Sequence, residues 1–180
     1  MITTDIWITL TPIEIEFCDW LGLERNRARN ATGSTHTNNR QITEAGAIAG
    51  HILGTRTECA AKTYFYMTTW HIEILSDASK LGDLPDLSHQ RGNIDVKGVL
   101  QHHHQLLSPA LAIKPDWFYV LVSALDHPRY WIRGWCRGRD LARAPLKQLQ
   151  PRRFSHAIEP DSPILRPPQE LFDHLLPVVG

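Results

Sequence analysis

The run Trp117-Phe118-Tyr119-Val120-Leu121-Val122 constrains the fold more than any other stretch of this sequence. Successive side chains of a strand point to opposite faces, so a strand that is apolar at every position must be covered on both. A sheet with one wet face has no place for it. The chain therefore needs layers on either side of a sheet, which predicts an α/β architecture: a central mixed sheet flanked by helices. With 180 residues, 42% of them hydrophobic, the chain can bury a sizeable core, and the length predicts a single domain over 1–180.

Around that strand the elements read in order. Residues 5–10 alternate as a short strand, and Thr11-Pro12-Ile13-Glu14 is a capping box with proline at the first helical position. Ile13, Phe17, Trp20 and Leu21 recur at helical spacing, and the helix is expected to end near Asn30, with a polar loop to residue 40. Gly46, Gly50 and Gly54 argue against one helix through 42–66, so the next helix is placed from Gly54 or Thr55 to Phe65. Strands are expected at Asn93–Leu100, Ala110–Ile113, Trp117–Leu125 and Arg129–Arg137, and a helix at Arg139–Leu149. Residues 1–40 then form an N-terminal strand, helix and loop, and 45–150 the core. A proline-rich extension at 151–180 closes with a short helix near Gln169–Leu176.

The chemistry concentrates in Leu84-Pro85-Asp86 … Asn93-Ile94-Asp95-Val96-Lys97-Gly98. If 93–99 is a strand, Asp95 and Lys97 share one face while Ile94 and Val96 share the other. A carboxylate pair suited to a hard divalent cation then sits beside an ammonium group. Those are the parts of metal-assisted phosphodiester hydrolysis, in which the metal activates a water and the cation offsets developing charge. The plainer alternative is a turn followed by an edge strand whose Asp95 and Lys97 face solvent. Glu58 lies in a run of small apolar residues (Cys59, Ala60, Ala61), and a buried acid needs a partner or a metal. Its plainer reading is a surface salt bridge to Arg56 or Lys62.

Charge is balanced overall but unevenly placed. Residues 1–24 carry Asp5, Glu14, Glu16, Asp19 and Glu24 with no lysine or arginine, whereas 129–153 are arginine-rich with interleaved Tyr130, Trp131 and Trp135. Arg133, Arg137, Arg139, Arg152 and Arg153 are the candidate phosphate contacts. Of His102-His103-His104 only His102 and His104 can share one strand face, and joined by His89 or His71 they would suit zinc, an alternative that ranks below a histidine-lined DNA groove or a plain surface loop. Cys18, Cys59 and Cys136 form no CxxC pair and are read as reduced and buried. There is no GxSxG elbow and no GxxxxGK[ST] loop. The start, Met1-Ile2-Thr3-Thr4-Asp5, lacks a signal-peptide pattern, and no apolar run has membrane-spanning length, so a cytoplasmic protein without a membrane partner is the expectation.

Pro85-Asp86 followed by Asp95-Val96-Lys97 resembles the signature of the PD-(D/E)xK, or restriction-endonuclease-like, nuclease superfamily. The order of an acidic helix with Glu58, the Asp86 turn, the Asp95/Lys97 strand and a further core strand is similar to that core. The later half, with Leu106-Leu107 … Leu111, the Trp117–Val122 strand and Gly134-Trp135, resembles small phage and prophage proteins of the same type. The resemblance spans roughly residues 45–175 and implies a restriction-endonuclease-like core and a Mg2+-dependent nuclease, with Mn2+ as substitute and Zn2+ disfavoured. DNA is the implied partner, with RNA left open, and a homodimer is compatible. Carried over, Asp86, Asp95 and the Val96 carbonyl would ligate metal, Glu58 would ligate directly or through water, and Lys97 would orient water or offset phosphate charge. Asp83 rivals Asp86 as the first ligand. The alternative function is a non-catalytic nucleic-acid-binding or regulatory protein on the same fold.

Overall fold

The computed structural model describes residues 5–31, 43–66, 69–70, 84–150 and 153–176. In chain order these form β1 (Ile6–Thr9), α1 (Pro12–Ala31), α2 (Glu44–Phe65), β2 (Thr69–Trp70), β3 (Leu87–His89), β4 (Gly92–Val99) and β5 (Leu106–Pro109). They continue with β6 (Phe118–Asp126), β7 (Arg129–Arg137), α3 (Gly138–Leu141), β8 (Leu146–Gln150), β9 (Arg153–Ile158) and α4 (Pro168–Leu175). The first sheet has the order β1-β7-β6-β4-β3-β2, and the second is β5-β9-β8. In the first, β4 and β6 run parallel and every other pair is antiparallel.

The apolar strand behaves as its composition demands. Phe118, Val120 and Val122 of β6 pack with Ile94 and Val96 on one face, against Cys59, Ala60, Ala61 and Phe65 of α2 and Leu171 and Leu175 of α4. Tyr119 and Leu121 enter a second core on the other face, with Leu106 of β5, Ile158 of β9 and Leu141 of α3. The architecture is thus mixed α/β, a mixed sheet flanked by helices. One covering layer, however, is largely the three-stranded sheet. Sequence periodicity demands a cover but does not say of what kind.

Local chemistry explains the helix starts. At α1, Thr11 and Glu14 close the capping box: the Thr11 N–H donates to Glu14 Oε2 at 2.7 Å and the Glu14 N–H to Thr11 Oγ1 at 3.3 Å. At α2, the Thr43 hydroxyl accepts the Gly46 N–H at 3.1 Å. That cap begins α2 ten residues before the expected Gly54, so Gly46, Gly50 and Gly54 all lie inside a helix. Tertiary packing against α1 supplies what the glycines cost in propensity.

Two other expectations fail for a shared reason. Ala110–Ala112 is a single 3-10 turn rather than a strand, with β5 placed just before it. The helix expected at 139–149 shrinks to the one turn of α3, after which Leu146–Gln150 pairs with β9. In both places pairing within the second sheet decides over local propensity: β5 ends its pairing with β9 at Pro109, just before Ala110, while Leu146–Gln150 is drawn into the sheet.

Gly98 marks where β4 meets α2. A methyl group there would come within 2.5 Å of Thr57 Oγ1 and 3.0 Å of its Cγ2. Thr57 is fully buried, so neither partner can yield freely. Gly98→Ala should therefore lower unfolding free energy by about 1–3 kcal/mol, readable as an earlier midpoint in urea with unchanged slope.

Candidate active site

Residues 92–99 form the predicted strand, and Asp95 and Lys97 lie on the face opposite Ile94 and Val96. Lys97 Nζ stands 2.5 Å from Asp95 Oδ1, with side chains 28% and 18% exposed. The same nitrogen is 6.0 Å from the Tyr119 ring centre. This is a partly enclosed pair, so the solvent-facing alternative does not hold.

Asp86 reaches the pair through the backbone. The antiparallel register sets Leu87 opposite Ile94 and ends there, because β3 bends away at Asp86. Two residues further along the ladder Pro85 would stand opposite Val96, and proline has no N–H to offer the Val96 carbonyl. The vacated edge is taken by Asp86, whose Oδ2 accepts the Val96 N–H at 2.6 Å. Pro85 and Asp86 thus act together: one ends the ladder and the other brings a carboxylate to the strand carrying Asp95 and Lys97.

Glu58 completes the acidic cluster. Enclosure in protein is the main force pushing the Asp86 carboxyl well above the ordinary carboxylate range. The charges of Glu58 and then Asp95 push it the same way, against the pull of Lys97 and the Val96 N–H. Burial pulls the Lys97 ammonium down, but the Asp95 and Asp86 carboxylates outweigh it and hold its pKa above the usual lysine value. Lys97 is therefore a cation at neutral pH, suited to orienting water and offsetting phosphate charge and unsuited to accepting a proton.

The partner of Glu58 is one that sequence spacing did not single out. Arg25 of α1 grips both oxygens, Nη1 to Oε1 at 2.7 Å and Nη2 to Oε2 at 2.9 Å, with side chains 16% and 7% exposed. Arg56, the partner expected on the plainer reading, instead holds Asp19 at 2.6 and 2.7 Å. The Arg25–Arg29 cluster is visible in the sequence, but a contact across 33 positions is not.

The remaining candidates scatter. Arg133 lies over Trp131 at 4.1 Å and donates to the His102 carbonyl at 2.5 Å. Arg137 lies over Phe118 at 5.1 Å, and Arg139 stands 3.7 Å from Asp116. Arg152, the Arg153 side chain, Asp83 and His71 fall outside the described residues. His102 faces Ser123 and Trp131, His103 and His104 pack on each other, and His89 accepts the Arg91 N–H in the β3–β4 turn. The structure therefore does not draw those histidines to one point.

Among the described residues, no three His, Cys, Asp or Glu side chains form a ready-made metal cage. A small hard cation does not need one, since Mg2+ is usually held by one or two carboxylates together with waters and substrate phosphate. The donors fit that pattern: Asp86, Asp95 and the Val96 carbonyl are all oxygens, and buried Asp95 Oδ1 has no hydrogen bond of good geometry, only the Lys97 ammonium beside it.

No protein-family model matches the chain, and comparison with the curated proteins and with the solved structures finds no match either. Among the described residues, no helix is long and apolar enough to cross a membrane.

Proposed function

We propose that the protein is a divalent-metal-dependent nuclease of restriction-endonuclease-like type that hydrolyses phosphodiester bonds in DNA. The observation that carries this reading is the Asp86 carboxyl seated on the Val96 N–H beside the Asp95–Lys97 pair. Crowding acids in a partly buried place costs stability, which a functional site explains better than a structural one. The element order supports the same core: α2 bears Glu58, then β2, β3 and β4 form an antiparallel meander, and β6 lies parallel to β4.

On this reading Asp86, Asp95 and the Val96 carbonyl hold Mg2+ or Mn2+, and Glu58 acts from farther out, anchored by Arg25. The metal would lower the pKa of a water and neutralise charge at phosphorus. Lys97 holds that water or a phosphate oxygen in line, and Asp95 keeps the ammonium in place.

The non-catalytic alternative draws on two observations: both Glu58 oxygens accept hydrogen bonds from Arg25, and Asp95 is paired with Lys97. The deciding measurement is cleavage of mixed single- and double-stranded DNA with Mg2+. Wild type should cut, and Asp95→Ala and Lys97→Ala should each lose about a hundredfold or more. Equal cleavage by the variants would trace the activity to a contaminant and leave the binding reading.

A further inference from the structure

Two carboxylates of the acidic cluster already carry a cation of the chain. Glu58, Asp86 and Asp95 lie near enough that the charges of the first and last both act on Asp86. Arg25 takes both oxygens of Glu58, at 2.7 and 2.9 Å. Lys97 stands 2.5 Å from Asp95 Oδ1, a buried oxygen with no other hydrogen-bond donor among the described residues.

The pairing of Lys97 with Asp95 is built into the sheet. The two alternate onto the same face of β4, and Tyr119, the cross-strand neighbour of Asp95, sets its ring centre 6.0 Å from Nζ. Tyr119 is fully buried, and its hydroxyl accepts the Lys114 N–H at 2.9 Å. Gly138 leaves room for that arrangement. A methyl group there would come within 2.0 Å of the Lys114 carbonyl oxygen and 3.1 Å of the Tyr119 ring. The ring is therefore a fixed wall beside the ammonium.

Two cations beside three carboxylates leave the cluster one negative charge in excess when every group is ionised. Affinity for a hard divalent cation follows the charge of its oxygen ligands, and a like charge a few ångströms away opposes it. The Lys97 ammonium is such a charge, and it sits on a carboxylate that would ligate. One ion brings the cluster to net positive charge, so a second would meet repulsion. A phosphate of the nucleic acid supplies the missing negative charge and an oxygen ligand, as Mg2+ sites commonly require.

We propose that Lys97, acting on Asp95, holds the affinity of the site for divalent cation low, so that a single ion is retained only together with a nucleic-acid phosphate. The proposal rests on the nuclease reading for the identity of the metal site. Because coupling between ligands is reciprocal, bound metal then strengthens nucleic-acid binding by the factor that nucleic acid strengthens metal binding.

The test has two measurements on the full chain. Mn2+ binding without DNA is read from the electron paramagnetic resonance signal of the unbound ion. Binding of a fluorescein-labelled, hydrolysis-resistant phosphorothioate DNA duplex is then compared with and without Mn2+. Wild type should take one Mn2+ with Kd on the order of millimolar, and Mn2+ should tighten duplex binding about tenfold. Lys97→Gln, which removes the ammonium, should bind Mn2+ alone about tenfold more tightly, whereas Lys97→Arg, which keeps the charge, should bind as weakly as wild type. Asp86→Asn should lose both the metal and its effect on the duplex. If Asp86→Asn loses the metal but Lys97→Gln binds it no better than wild type, the affinity account fails and the metal site stands. If Asp86→Asn binds Mn2+ as wild type does, the metal lies elsewhere and the nuclease reading fails too. Should Lys97→Gln not fold, wild type decides: tight binding of metal alone, more than one ion per chain, or duplex affinity that Mn2+ does not raise overturns the proposal.

Discussion

Asp86→Asn should yield a protein that is more stable than wild type without metal and has lost metal-dependent cleavage. The asparagine keeps an oxygen to accept the Val96 N–H, so the bond that seats the side chain survives. What disappears is a carboxyl that burial, Glu58 and Asp95 all disfavour as an anion. Relieving a crowded site of this kind is worth on the order of 1–2 kcal/mol, and Tm should rise by about 2–8 °C. The gain should grow with pH. A carboxyl whose folded pKa is raised favours folding while it is protonated, so its contribution is lost as pH climbs above the ordinary carboxylate range. The raised pKa of Lys97 has the same sign, but its effect is lost only in strongly alkaline solution. Thermal melts of both proteins from pH 5 to 8 should therefore diverge toward pH 8. Adding Mg2+ should raise the melting point of wild type and leave that of Asp86→Asn nearly unchanged. Equal melting points across the range would mean that the Asp86 carboxylate is not crowded.

Arg25→Ala should be strongly destabilising although Arg25 lies outside the central sheet. It leaves the Glu58 carboxylate buried at the α1–α2 contact without its bidentate partner, and breaking one side of a buried ion pair costs about 3–5 kcal/mol. Because Glu58 and Arg25 fail together, the double change Arg25→Ala/Glu58→Gln should recover much of that loss. Denaturant melts of the three variants give the coupling directly. The recovered protein then separates fold from function: if Glu58 serves the metal site, Arg25→Ala/Glu58→Gln folds but cuts poorly. Full cleavage by the refolded double variant would reduce Glu58 to a structural anchor.

The site was more legible than its surroundings. Asp95 and Lys97 could be placed on one face because strand alternation is local, and Gly92–Val99 is long enough to express it. Asp86 could be proposed from a turn signal, but its bond to the Val96 N–H depends on where β3 leaves the ladder. Arg25 stayed hidden as the partner of Glu58 because the two lie far apart in the chain. The second sheet stayed hidden for the same reason: Leu106–Pro109, Leu146–Gln150 and Arg153–Ile158 are strands only because each has another to pair with.

By itself, then, the sequence determined that β6 must be buried on both faces, that α1 begins at the Thr11–Glu14 box, and that Asp95 and Lys97 stand together. Each follows from interactions within a few residues, which period and capping chemistry fix before the chain folds. Only the tertiary structure decided that a sheet covers one face, that α2 runs unbroken through its glycines, and that Glu58 belongs to Arg25. Those outcomes depend on pairing and packing between distant segments, where the energy of a contact outweighs the weak local preferences that a sequence displays.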